Sequence, residues 1–160
     1  MSAEYSVSAL QTVATNGSVI FTESPVPCNR GLVYHRDESG LFRLASPSTS
    51  GYCGHRRRCS CLGMPESVYE VAFHANIAIP TGGTAGEPIS LAIAIDGEVD
   101  PSSIMTITPA AVDEFGNVGA DVLVSVPSIC RCGSVSVRNI SEQAVDVQNA
   151  NIVFDFVGIR

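Results

Sequence analysis

Apolar and polar residues alternate with a period of two along much of this chain. Successive side chains of a β-strand point to opposite faces of its sheet, so this alternation predicts strands with one buried face. The segment 69–79 is the clearest example, and the segments 89–95 and 118–126 repeat the pattern. The apolar positions of the first segment, all predicted to face a core, are Tyr69, Val71, Phe73, Ala75, Ile77 and Ile79.

Shorter alternating segments predict further strands, while the helical period of 3.6 residues is nearly absent. Residues 145–159 are long enough for two strands or for one bent strand. The only helical turn that the pattern allows lies near residues 108–115. The shorter strand candidates are residues 5–13, 18–22, 31–35, 41–44, 104–108 and 134–139.

Tight turns separate the predicted strands. Asn16-Gly17 and Asp96-Gly97 suit such turns because Asn, Asp and Gly tolerate positive φ. About eight to ten short antiparallel strands predict an all-β sandwich, most often a jelly roll or an immunoglobulin-like topology. The 160 residues fit a single domain, 1–160, with one long irregular segment, a Cys- and Arg-rich loop at 45–67.

Composition adds two constraints on partners. Charged residues make up 16% of the chain, below the usual quarter, which favours buried contacts between subunits. The net charge is −7 and no Lys is present, so phosphate backbones are repelled and nucleic acid is not an expected partner. No apolar run approaches a membrane span and the N-terminus lacks a signal-like apolar stretch, which predicts no membrane partner and synthesis in the cytoplasm.

No catalytic motif is recognisable in the sequence. The His-Glu-x-x-His zinc motif, the Gly-x-Ser-x-Gly nucleophile elbow and the P-loop are missing. The histidines His35, His55 and His74 are scattered, and His74 falls on the polar face of a predicted strand, where a solvated side chain is expected. The sequence therefore predicts a protein that is not an enzyme and has no catalytic or cofactor-binding residues.

The cysteines form two Cys-x-Cys pairs, Cys59 with Cys61 and Cys130 with Cys132. In an extended segment, residues i and i+2 face the same side, so each pair presents two thiols to one point. We expect the two pairs to lie close together in the folded assembly. Disulfides, a tetrahedral Zn²⁺ site and free thiols all remain open, and disulfides are favoured over zinc.

The basic run Arg56, Arg57 and Arg58 follows His55 in the loop 45–67. It predicts a contact with an acidic partner surface or with a neighbouring copy of this acidic chain. A solvated loop tip is the equally weighted alternative.

Five segments carry a resemblance to a known group of proteins. They are residues 8–13 (SALQTV), 76–83 (NIAIPTGG), 88–97 (PISLAIAIDG), 108–111 (TPAA) and 145–152 (VDVQNANI). These segments resemble small structural proteins encoded by phages and prophages, which are similar in pattern to the trimeric TNF/C1q-like jelly roll. The resemblance implies an antiparallel jelly-roll sandwich and a virion component, such as a capsid decoration or head-fibre protein.

The resemblance also implies partners and a contact surface. The chain would form a homotrimer and bind the major capsid protein or another virion protein, docking through its termini or the loop 45–67. Residues 151–158 resemble the aromatic last strand of that jelly roll, which lies near the trimer axis. Phe154 and Phe156, or the outward face of residues 69–79, are therefore the expected trimer contacts.

A receptor- or carbohydrate-binding, lectin-like module of a tail or cell-surface assembly is the alternative function. Low charge and aliphatic alternation suit such a module equally well. Carbohydrate sites usually contain a Trp or Tyr platform beside carboxylates, and the chain has no Trp and four Tyr. This composition weakens the alternative without removing it.

Overall fold

Strands make up nearly all the regular structure of the computed structural model, which describes residues 2–28, 31–36, 38–46, 66–127 and 132–160. The remaining regular element of this part of the chain is a 3₁₀ turn at Pro101–Ser103. The strands are β1 (Ser2–Val7), β2 (Gln11–Val13), β3 (Glu23–Val26), β4 (Val33–His35), β5 (Phe42–Leu44), β6 (Glu66–Ala78), β7 (Ile89–Ile95), β8 (Glu98–Val99), β9 (Met105–Ile107), β10 (Gly116–Pro127), β11 (Gly133–Asn139) and β12 (Val145–Ile159).

The strands form two antiparallel six-stranded sheets. The first sheet has the order β10-β6-β12-β1-β3, and β2 also pairs with β12. The second sheet has the order β4-β5-β11-β7-β8, and β9 also pairs with β7. From β6 onward the chain crosses repeatedly between the sheets, which gives the jelly-roll connections. The predicted all-β antiparallel sandwich is confirmed.

The core lies between the two sheets and follows the predicted alternation. All six apolar positions of the segment 69–79 are at most 1% exposed. An aromatic group fills one region of the core around Phe42, whose ring centroid lies 5.0 Å from that of Tyr5 and 4.8 Å from that of Phe154. Tilted and edge-on ring contacts of this kind add stabilisation beyond the buried area.

The Asp96-Gly97 turn has the positive φ values that its residues predict. Asp96 has φ 51° and Gly97 has φ 87°, so both central residues of the β7–β8 turn are in the left-handed region. A two-residue hairpin with both φ values positive matches the twist of its flanking strands. The Asp96 side chain also accepts a hydrogen bond from the Ser134 backbone N–H at 2.8 Å, which ties the turn to β11.

Residues 5–13 are predicted as one strand but divide between β1 and β2, β3 is not predicted, and two further segments differ from the sequence predictions. Residues 18–22 form isolated bridges rather than a strand, because the Gln11 side chain bonds both the N–H and the carbonyl of Ile20 at 2.9 Å. The turn near residues 108–115 is not helical. The Glu114 carboxylate accepts hydrogen bonds from the N–H groups of Ala110 and Ala111, which holds this segment as an irregular loop.

Strand β12 is one bent strand, which resolves the choice left open for residues 145–159. Its pairing with β6 shifts register between Gln148 and Asn151 and again between Phe156 and Gly158. Asn149 has φ 52°, a conformation that Asn tolerates better than most residues. Such bulges bend a strand and redirect its side chains.

Replacing Phe154 by Ala should lower the free energy of unfolding by about 3–5 kcal/mol, because a fully buried ring leaves a cavity. Phe115→Ala is the matched control, since that ring is 41% exposed and its loss should cost about 1 kcal/mol or less. Urea denaturation of the two variants measures the difference. Equal losses would contradict the placement of Phe154 in the core.

Candidate functional site

The side of the first sheet that points away from the core is the candidate interaction surface. We call it the outward face, formed by alternate residues of β1, β12, β6 and β10. Val153 lies opposite Glu4 on one side and Ala72 on the other, and Ala72 lies opposite Asp121. These residues form one row across four strands. Small side chains at its centre leave this part of the face flat.

Carboxylates surround that centre. Asp155 lies directly opposite Glu70 across the β12–β6 pair, and Asp121 occupies the diagonal position on β10. Like charges directly opposite each other destabilise a sheet. The Asp155 carboxylate accepts a hydrogen bond from the Ser2 hydroxyl at 2.9 Å. These carboxylates make the outward face strongly acidic.

The two sheets carry opposite charges on their strands. In the described part of the chain, the charged strand residues of the second sheet are Arg43, Arg138 and Glu98. Those of the first sheet, leaving aside His74, are all acidic: Glu4, Glu23, Glu66, Glu70, Asp121, Asp146 and Asp155. The negative charge of the described strand residues is therefore concentrated on the first sheet.

His74 lies at the centre of the outward face and is exposed, as its place in the alternation predicts. It pairs with Gly119 on β10 and with Asn151 on β12. A Cβ atom built on Gly119 would lie 2.4 Å from His74 Nδ1, so the imidazole lies directly over the glycine. The absence of a side chain at Gly119 therefore makes room for the histidine ring. On the other side of His74, the Asn151 amide donates a hydrogen bond to the Glu4 carboxylate.

An apolar stripe crosses the outward face beside the carboxylates and consists of Leu123, Val68 and Val157. Leu123 is 67% exposed and Val157 is 59% exposed. Val68 pairs with Ser125, two residues from Leu123, and with Gly158, next to Val157. Val157 is the extra residue of the second β12 bulge. Exposed apolar side chains at neighbouring positions of a sheet favour an interaction surface there.

The outward face of residues 69–79 is one of the two contact surfaces that the resemblance implies, but the stripe itself is not predicted, although the sequence holds one signal for it. Leu123 falls on the polar phase of the alternating segment 118–126, where an aliphatic side chain is out of place. The exposure of Val157 has no such signal, because it depends on the bulge.

Phe154 and Phe156 are not on the outward face. Phe154 is fully buried in the subunit core, and Phe156 is half-buried with its ring 5.5 Å from that of Tyr69. Their role in subunit contacts stays a prediction, but Phe154 has no exposed surface with which to touch a neighbour. The exposed apolar residues of β12 are Val157 and Ile159.

The two cysteine-bearing segments 47–65 and 128–131 have adjacent flanks. Glu66, which follows the segment 47–65, pairs with Pro127, which precedes the segment 128–131. Arg160 forms a 2.9 Å ion pair with Glu66 at this end. A hydrogen bond from Ser125, and then Arg160, lower the pKa of the Glu66 carboxyl.

The described residues include only one cysteine of the predicted four-cysteine cluster. Cys132 is described and exposed, whereas Cys59, Cys61 and Cys130 lie outside the described residues, as do Arg56, Arg57 and Arg58. Proximity of the two Cys-x-Cys pairs therefore stays a prediction. Within the described ranges, no group of three or more His, Cys, Asp or Glu is arranged to hold a metal ion.

A polar groove of about 670 Å³ lies at the loop end of the sandwich where β6 joins β7 and β11 joins β12. The Gln143 amide fixes its walls, accepting from the Thr84 N–H at 2.9 Å and donating to the Thr84 carbonyl at 3.2 Å. Asn139, fully buried, donates to the carbonyls of Val13 and Gln143 at 2.9 Å. The exposed carboxylates of the groove are Glu87 and Glu142.

No helix among the described residues is long and apolar enough to cross a membrane.

No protein-family model matches the chain, and no curated protein matches it. Solved structures do match over nearly the whole chain. The globular domain of zebrafish complement 1qA is 10% identical, with 99% of this chain and 98% of that chain covered and a TM-score of 0.60.

Two further solved structures agree with this likeness. Eiger TNF from S. frugiperda is 9% identical, with 99% of this chain and 92% of that chain covered and a TM-score of 0.65. Murine APRIL at pH 5.0 is 7% identical, with 96% and 98% covered and a TM-score of 0.61. At such identities the likeness shows the fold alone. The predicted fold is confirmed: the chain is a TNF/C1q-like jelly roll.

Proposed function

We propose that this protein is a non-enzymatic structural component of a virus particle that acts as a homotrimer. The observation that carries the proposal is the outward face, where an apolar stripe and a set of carboxylates lie exposed on a TNF/C1q-like jelly roll. Such a face gains free energy when a second copy covers it. Its function is to form part of the particle surface and to associate with other subunits.

The apolar stripe is the expected centre of the contact between copies. Burying a Leu or Val side chain completely is worth about 1.5–3 kcal/mol relative to leaving it exposed. Leu123 and Val157 are each more than half exposed, so a contact that covers both recovers a large part of that gain. A three-fold arrangement repeats this gain three times per assembly.

A non-enzymatic role is supported by the titratable groups whose pKa departs from its ordinary value. Burial raises the pKa of Tyr69 to about 12 and raises the pKa of Tyr5. The Tyr69 hydroxyl donates a hydrogen bond to the Ala45 carbonyl, so this group serves to hold the fold together. Catalytic sites usually gather such groups in one cleft. None of these groups lines the polar groove.

Membership of a virus particle is supported by the sequence resemblance to phage and prophage structural proteins. Two of its segments, 88–97 and 145–152, lie largely on β7 and β12, which carry much of the core. We propose that the particle-side partner is the major capsid protein or another virion protein. The run Arg56–Arg58 is the proposed docking contact, since charged contacts steer and orient partners.

A receptor- or carbohydrate-binding module is the second candidate. The polar groove favours it, because Glu87, Glu142 and the hydroxyl groups of Thr84 and Ser90 line one pre-organised concave site. Carboxylates and hydroxyls are suitable partners for a polyhydroxylated ligand. No aromatic side chain lines the described groove to act as a stacking platform.

Sedimentation should give an assembly of about 50 kDa, three times the chain mass of 16.8 kDa. A Leu123→Glu and Val157→Glu double variant should shift the protein to monomer, because it places charges in the apolar stripe. Tyr34→Glu is the matched control, since Tyr34 is 63% exposed on the opposite sheet. A double variant that stays trimeric would exclude the outward face as the contact.

Mass spectrometry of purified virus particles tests the virion role. We expect the chain to be present at a fixed ratio to the major capsid protein. Reversing the charge of Arg56, Arg57 and Arg58 should lower this ratio without changing the melting temperature. Absence of the chain from particles would contradict the virion role and favour the binding module.

A further inference from the structure

We propose that the outer edge of β10 binds an extended segment of a partner protein, which adds to the first sheet as a further strand. The segment carries an aliphatic residue and, two positions later, a basic residue. This edge is a binding site in addition to the proposed subunit and capsid contacts, and it does not require the homotrimer.

The direction of the backbone hydrogen bonds on β6 determines which groups β10 presents at its outer edge. Glu66, the first residue of β6, exchanges two 2.9 Å backbone hydrogen bonds with Arg160, which follows β12. The Ile79 carbonyl, just after β6, accepts a 2.9 Å hydrogen bond from the N–H of Asp113, in the loop that leads into β10. Bonding direction alternates along a strand. The even-numbered residues of β6 therefore bond β12, and the odd-numbered residues bond β10.

The odd-numbered residues of β10 direct their backbone groups away from β6. The β6–β10 pairing has no register shift and sets even-numbered residues of β10 opposite odd-numbered residues of β6. β10 is the last strand of its sheet, and no described residue beyond β6 forms a backbone hydrogen bond with it. The odd-numbered residues from Gly119 to Ser125 are also exposed. Such a row of backbone donors and acceptors is a template for an extended chain.

Asp121 and Leu123 determine which segment fits this edge. Both side chains point to the outward face, and Leu123 is 67% exposed. Directly opposite residues of an added strand lie about 4.5–5.5 Å away between Cβ atoms, where opposite charges and apolar pairs are stabilising. A basic residue therefore fits opposite Asp121, and an aliphatic residue fits opposite Leu123. In an antiparallel addition, like every pairing of this sheet, the aliphatic residue comes first along the segment.

A second copy of β10 fits the edge less well than a basic segment. Antiparallel pairing of two β10 strands through their middle brings the two Asp121 carboxylates opposite or diagonal to each other. Like charges opposite each other destabilise a sheet, and a charge within an edge strand opposes edge-to-edge pairing. The described strands of the first sheet contain no Arg or Lys that offsets this repulsion. Charge complementarity therefore favours a different, basic partner.

Amide hydrogen exchange measured by NMR, with the peptide Thr-Thr-Val-Thr-Arg-Thr-Thr as the probe, tests the proposal. In the chain alone, the amides of Asp121, Leu123 and Ser125 should exchange rapidly, whereas those of Val122 and Val124 should exchange slowly because they bond β6. Peptide at about ten times its dissociation constant should slow the first three about tenfold, because about one chain in ten then keeps an open edge.

Peptide and protein variants separate strand addition from other binding in fluorescence anisotropy. Replacing the peptide Arg by Glu should weaken binding about twofold to fivefold, and Asp121→Arg should restore it. Ser125→Pro removes an N–H group that faces the outer edge and should weaken binding strongly, whereas the matched control Ser125→Ala keeps that group and should bind as wild type. N-methylation of the peptide Val and Arg removes the opposing N–H groups and should also prevent binding, which gives a second test if Ser125→Pro does not fold.

The outcomes separate strand addition from the proposed trimer. Rapid exchange at Val122 and slow exchange at Leu123 in the chain alone would overturn the assigned edge. Binding that is unchanged by N-methylation, or no binding at about 1 mM peptide, would overturn strand addition and leave the trimer standing. Val157→Glu should weaken the trimer without changing peptide binding, because Val157 lies on β12, two strands from the edge.

Discussion

Strand β6 is hydrogen-bonded on both edges, to β10 along nearly its whole length and to β12, and the rest of the first sheet depends on this double pairing. A slip of one residue would turn Glu70 and His74 into the core and expel Tyr69 and Phe73. Burying two polar side chains without partners opposes such a slip strongly. The register therefore fixes the core and the outward face at the same time.

The same register brings together residues that are distant in sequence. Glu4, Asp121 and Asp155 come from three different strands, yet all three lie on the outward face, with Asp121 and Asp155 on the two strands that flank β6. This surface carries a concentration of carboxylates, and exposed aliphatic side chains lie next to them. Both features are explained if this surface works between subunits. The second sheet, with Arg43 and Arg138 on its strands, has no such carboxylate set among its described strand residues.

The sequence predicts the long strands well and the surface poorly. Alternation identifies β6, β7 and β10 because each buries one whole face. It misses β3, whose four residues are all exposed and include Pro25, so that no period of two exists to detect. The family resemblance gives Phe154 and Phe156, or the outward face of residues 69–79, as the trimer contacts, and of these the Phe154 ring is buried in an aromatic core with Tyr5 and Phe42. Cross-strand neighbours and bulges are long-range properties, and a single sequence does not encode them locally.

Covalent labelling of carboxyl groups, read by mass spectrometry, tests most directly whether the outward face is covered in solution. At a protein concentration where the chain is assembled, Glu70 and Asp121 should react slowly, while Glu87 and Glu142 in the polar groove should react rapidly. Dilution that dissociates the assembly into monomers should make the labelling rates of the four carboxylates similar. Equal rates for all four carboxylates at every concentration would contradict the account.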